Sequence, residues 1–149
     1  MGTTSSVPAV IDGLLAGMRT AGLAAFEQWP GPEAAKEMIV LGQVTWEDYV
    51  IATIKAGRKH RQEEWAVAFE LYVAGADGTT PADPSTARNR AFTLLGEVED
   101  LLAEDVTAGT DFTTVQWVEV RLTDAEPRVF EKGWAYRVTG SFRARARLQ

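Results

Sequence analysis

Apolar residues along the chain recur first at helical spacing. Val7, Val10, Ile11, Leu14, Leu15 and Met18 form one stripe, which predicts an amphipathic helix laid against a core. Ser5-Ser6-Val7-Pro8 supplies its start: a hydroxyl can accept from an orphan backbone N–H, and Pro8 suits a first turn, where no donor is needed. The helix should end near Gly22. From Glu27 to Pro32 two prolines and a glycine break any helix, so this is a loop carrying Trp29. The apolar, β-branched run that follows predicts a strand from about Glu37 to Val44, of the kind covered on both faces.

Between Thr45 and Gly57 the apolar positions fit neither period. The polar stretch Gly57-Arg-Lys-His-Arg-Gln62 reads as a turn, after which alternation is strict. Trp65, Val67, Phe69, Leu71 and Val73 fall on one side, and Glu64, Ala66, Ala68, Glu70 and Tyr72 on the other, which is the clearest strand in the chain. Asp83-Pro84 caps a second amphipathic helix marked by Ala91, Phe92, Leu94, Leu95, Val98, Leu101 and Leu102, running to about Glu104. A strand is predicted over Thr114–Leu122 and a last one over Gly133–Leu148. In the last, Trp134, Tyr136, Val138, Phe142, Ala144, Ala146 and Leu148 share one face, and Arg137, Thr139, Ser141, Arg143, Arg145 and Arg147 the other.

The predicted fold class is therefore α+β, in the order α-β-β-α-β-β. A largely antiparallel or mixed four-stranded sheet carries two amphipathic helices on one face. Residues 1–149 are expected to form one domain, with no repeat, low-complexity tract or linker.

Composition narrows the function classes. The formal charge is −6 and the pI about 4.8, which argues against general attraction to nucleic acid or anionic lipid. The charge is uneven, however. Lys55, Arg58, Lys59 and Arg61 crowd one short segment, and Arg137, Arg143, Arg145 and Arg147 lie on the last strand. Glu97, Glu99, Asp100, Glu104 and Asp105 crowd the end of the second helix. Arg88 and Arg90 stand toward that helix's N-terminus, the reverse of what its dipole favours, which suggests charges supplied by another chain. With no cysteine, disulfides and thiolate metal sites are excluded and an intracellular protein is the natural reading. No stretch reads as a membrane span or a secretory signal.

Candidate chemistry is thin. His60, the one histidine, sits in the polar turn with no nucleophile motif to serve. The carboxylate pairs Glu47-Asp48, Glu63-Glu64 and Asp100 with Glu104 lack the contrast of environments that acid/base catalysis needs. Asp77-Gly-Thr opens like a calcium loop, but its twelfth position is Arg88 in place of the bidentate Glu. No phosphate-cradling glycine motif is present. No catalytic, cofactor-binding or metal-binding residue is assigned, and no cofactor is expected.

The chain resembles the tail terminator proteins of long-tailed bacteriophages, those of actinobacterial phages especially. The segments that carry the resemblance are VPAVIDGLLAGM as opening helix, WPGPEAAKEMIVLG leading into a strand, GRKHRQEEWAVAFELYV, RNRAFTLLGEVEDLLAED as second helix, and YRVTGSFRARARL closing the chain. It spans nearly the whole length by pattern and order, with no single diagnostic motif. The resemblance implies a non-enzymatic virion protein, made in the host cytoplasm, that forms a homohexameric ring. Such a ring caps the tail tube, stops its polymerisation, and joins it to a head-side connector. The implied partners are further copies of itself, the tail tube protein and the connector, with genome DNA passing through the ring and no sequence-specific nucleic-acid binding.

From charge, the candidate subunit or tube contacts are Lys55, Arg58, Lys59 and Arg61, then Arg143, Arg145 and Arg147, then Glu97, Asp100 and Glu104. For the strand arginines a second reading stands beside this one. They could pair across the sheet with Glu64, Glu70 or Glu119, each pair worth about 0.2–1 kcal/mol. If they face another subunit, reversing Arg143 and Arg145 to Glu should impair assembly and leave the monomer folded. Other readings are a head-to-tail connector or stopper, or a small-molecule-binding or hydrolytic α+β domain with Trp46, Trp65 and Trp134 lining a pocket.

Overall fold

The computed structural model describes residues 5–30, 37–55, 58–74, 84–104, 115–130 and 133–148, and for 48–55, 58–61, 84, 129–130, 133–134 and 148 the backbone alone. The elements are α1 (Val7–Thr20), β1 (Ala24–Phe26), β2 (Glu37–Lys55), β3 (Arg58–Val73), α2 (Pro84–Glu104), β4 (Val115–Phe130) and β5 (Gly133–Leu148). The fold is α+β, with five strands in the order β1-β2-β3-β5-β4. β1 runs parallel to β2 and every other pairing is antiparallel. The expected four strands become five because β1, three residues long, is too short to show any period.

α1 ends as its sequence requires. Gly22 takes φ +92°, its N–H donates to the Arg19 carbonyl, and the Leu23 N–H donates to that of Met18. This is a Schellman closure, which glycine adopts without a Cβ penalty. Arg19 then reaches past the turn and donates from Nε and Nη2 to the Ala25 carbonyl, at 3.0 and 2.8 Å, tying helix end to β1.

Three departures from the expected boundaries have physical causes. β2 continues to Lys55 through the segment without a period, because register shifts at Leu41/Val44, Trp46/Asp48 and Ile51/Thr53 each reset which face the next residue meets. Arg58, Lys59, His60 and Arg61 are not a turn but the first residues of β3, paired back to β2. β4 runs on from Leu122 to Phe130 as the outermost strand, where residues 121–125 are exposed on both faces and leave no alternation to read. Pro127 is tolerated there because an edge strand has a side with no ladder bond to lose.

One face of the sheet is apolar and both helices cover it. Trp65, Val67, Phe69, Leu71 and Val73 of β3, with Val138, Phe142, Ala144 and Ala146 of β5, pack against Val10, Ile11, Leu14, Leu15 and Met18 of α1. Ala87, Ala91, Leu94, Leu95, Val98 and Leu102 of α2 complete the layer. Phe69 and Phe142 meet with ring centroids 4.8 Å apart. The small Ala144 and Ala146 lie wholly buried beneath the helices, as expected for residues that allow a helix close to a sheet.

Candidate interaction surfaces

The face away from the helices carries the strand arginines, and their neighbours are acids of the same chain. Register sets Arg143 between Ala66 of β3 and Glu119 of β4. Its guanidinium pairs with Glu47, with Glu64 at 3.4 Å and with Glu119 at 3.7 Å. The side chain is 12% exposed, so three carboxylates of β2, β3 and β4 enclose it. Arg137 pairs with Glu70 at 2.5 Å and Glu126 at 3.4 Å. Arg145 donates from Nε and Nη2 to Gln62 once that amide is turned oxygen-first. At the sheet margin, Arg121 pairs with Glu119 and Arg128 with Glu126. Cross-strand pairing with Glu64, Glu70 and Glu119, one of the two readings of these arginines, is thus present within one chain. Glu47 and Glu126 are further partners. Arg147 is exposed at the end of β5.

Partial burial opposes the charge of Arg137, but the Glu70 charge and hydrogen bond, with Tyr72 and Glu126, outweigh it and raise its pKa above the ordinary arginine value. Tyr72 is raised as well, first by burial, then by the hydrogen bond it donates to Glu70 and by that residue's charge. Trp29 stacks edge-on against Tyr72 with centroids 5.4 Å apart, so the loop after β1 covers this corner of the open face.

Because Arg143 is enclosed, replacing it changes the monomer as well as any interface. Arg143→Glu would set a fourth carboxylate among three, so that reversal lowers the stability of the folded monomer as well as testing any contact. Arg143→Ala is expected to lower the unfolding free energy by about 1–2 kcal/mol in urea denaturation. The loss should shrink when Glu47 and Glu64 are both Gln.

The other predicted surfaces lie elsewhere. Lys55, Arg58, Lys59 and Arg61 stand at the far end of the β2–β3 hairpin, where Lys55 is opposite Arg58 and Ile54 opposite Lys59. Their side chains lie outside the described residues. Glu97, Asp100 and Glu104 are exposed on α2, and among the described residues none of them forms an ion pair. Arg90, by contrast, is satisfied by its own chain, bonding Glu37 at 2.5 Å; that hydrogen bond, against partial burial, raises its pKa. Between the helices runs a groove of about 310 Å3, lined by Gly13, Leu14, Gly17 and Met18 of α1 and by Val98, Leu101, Leu102 and Glu104 of α2, among others.

Glu63 is the site residue that pattern reading missed. It lies on the helix side of β3 with no exposed surface, while Glu64 faces the arginines. Its carboxylate accepts from Ser5 Oγ at 3.0 and 3.1 Å, from the Ser6 N–H and Oγ at 2.5 Å each, and from Trp46 Nε1 at 3.2 Å. Trp65 Nε1 donates to the Ser6 hydroxyl at 3.0 Å. Among the described residues the buried carboxyl group is thus met by donors, beside the N-terminal end of α1. Ser5 Oγ also accepts from the Val7 N–H at 3.1 Å, while the N-cap residue itself, Ser6, donates its hydroxyl to Glu63. Trp65, fully buried, has no surface to offer a ligand; Trp46 is half exposed; the Trp134 side chain lies outside the described residues.

Taken together, these features define a two-layer α+β protein with one helix-covered face and one charge-paired open face. No family model and no curated protein matches the chain. Among solved structures it is similar to a chain from the virion of a native gene transfer agent particle. The two are 15% identical, with 94% of this chain and 92% of that one covered and a TM-score of 0.44. A likeness of that degree carries no argument about role.

Proposed function

We propose that the protein is a structural component of a phage-type virion, and more finely a tail terminator that forms a ring on the tail tube and joins it to the head side. The observation that supports this most is the run of resembling segments along nearly the whole chain. Those segments supply α1, β2, β3, α2 and β5, the elements of one sheet-and-helix unit. Among the described residues the sheet also has unpaired edges at β4 and along β2 beyond Val40, suited to contacts with neighbours. In this reading the work is done by surfaces. Arg143 and Arg137 tie carboxylates of neighbouring strands together across the face away from the helices, while the basic run at the hairpin end and the acidic flank of α2 are the surfaces offered to other chains.

The test is native mass in solution, with and without purified tail tubes. A closed ring alone, or assembly of chains on tube ends, is the expected result. A monomer that ignores tubes would overturn the reading, and binding to connectors without tubes would make the protein a neck component.

A further inference from the structure

The β2–β3 hairpin outruns the sheet. Among the described residues β3 pairs with β5 as far as Arg61 opposite Leu148, and β1 covers β2 at Met38–Val40. Three more rungs follow, Thr53 with His60, Ile54 with Lys59 and Lys55 with Arg58, a two-stranded ribbon extending about 10 Å past the last three-stranded rung. Such a ribbon is marginal on its own. Residues 51–61 contain Lys55, Arg58, Lys59, Arg61 and no acid, and a like-charged pair directly opposite, as at Lys55 and Arg58, weakens the pairing further. Ile51 and Ile54 add apolar bulk.

The complement lies in the helix layer. The groove between α1 and α2 is lined by helix residues alone and has an apolar floor that includes Leu14, Met18 and Leu101. Glu97, Asp100, Leu101 and Glu104, at spacings of three, four and seven, share the flank of α2 that borders it. None of these acids forms an ion pair among the described residues, although the Glu97 charge is felt by Arg90, earlier on the same helix. The acids of the open sheet face that do have partners are balanced by that face's own arginines.

From this placement we infer that the ribbon of one copy docks into the acid-flanked α1–α2 groove of a second copy of this chain. The ribbon continues the sheet layer outward while the groove opens in the helix layer, so a neighbour's ribbon is what brings the two together. The contact joins unlike surfaces of identical chains, and repetition of such a contact closes a ring or runs on as a filament. The inference rests on the ring-forming reading and names its contact.

Charge exchange tests it on the full chain. One variant carries Lys55→Glu, Arg58→Glu and Lys59→Glu; the other carries Glu97→Lys, Asp100→Lys and Glu104→Lys. Sedimentation velocity at low salt should show each variant alone weakened in self-association by about 100-fold or more. The equimolar mixture should recover it, since each reversed ribbon then meets an oppositely reversed groove. Because the chain has no cysteine, single-cysteine chains bearing Thr53→Cys and Thr20→Cys give a second readout free of charge reversal. They should cross-link to each other far more than either does to itself. Association that survives both reversals, a mixture that fails to recover, or absence of the mixed cross-link overturns this contact and leaves the ring reading standing. A wild-type chain that stays monomeric at millimolar concentration and on tail tubes overturns both. If the ribbon variant instead loses binding to added DNA while self-association is unchanged, the ribbon's partner is nucleic acid and the inference is wrong.

Discussion

Glu63→Ala should unfold at markedly lower denaturant, with a loss of about 3 kcal/mol and a fall in Tm of about 6–12 °C for a chain of this length. The carboxylate is the shared acceptor for the Ser6 N–H, the Ser5 and Ser6 hydroxyls and the Trp46 indole. Removing it strands these donors where water does not reach Ser6. Glu63→Gln keeps one oxygen for Ser6 but adds two N–H donors to a cluster that already holds only donors around it, and should lose about half as much. Ser6→Ala in the Glu63→Ala background should add little, because both act through one network. If Glu63→Ala matches wild type in urea and heat, the buried clasp between α1 and β3 is not the anchor described here.

Gly140→Ala should be similarly damaging, by about 2–3 kcal/mol. A methyl at Gly140 would collide with the Arg121 carbonyl oxygen across the β4–β5 ladder and sit 2.9 Å from both Cε1 and Cζ of Phe69. Backbone on one side and a fully buried ring on the other leave nothing that can yield cheaply. Gly42→Ala is the control, since its added methyl would meet Ala68 at 3.6 Å and its oxygen at 3.7 Å, ordinary contacts that should change stability by less than about 0.5 kcal/mol. Equal urea midpoints for the two variants would contradict the close β4–β5 approach over Phe69.

Where periodicity was clean, the fold was legible. The α1 stripe, the alternation of Trp65 through Val73 and that of β5 from Tyr136 to Ala146 are core faces, because one side of each element is drier than the other. Trp134 and Leu148 of the predicted β5 face have side chains outside the described residues. Legibility failed where that contrast fails. Three register shifts scramble β2 beyond Leu41, β4 is wet on both faces over residues 121–125, and β1 is shorter than one period.

The surfaces followed the same rule. Glu64, Glu70 and Glu119 were readable as partners for the arginines because they lie on neighbouring strands at matching alternation. Glu47 was not, since it reaches Arg143 from β2, across β3, by way of the bulge at Trp46/Asp48. Glu63 shares the parity of Trp65 and Val67, so alternation alone sets it on the core side of β3, opposite to Glu64; what the pattern could not supply is its partners. Those include Ser5 and Ser6, nearly sixty residues earlier in the chain.

The most direct test of the proposed role is tail length. Particles produced with and without this chain should be compared by electron microscopy. A terminator predicts tubes of uniform length joined to heads when the chain is present, and headless tubes of overlong, scattered length when it is absent. Tubes of normal, uniform length in its absence would contradict the terminator role.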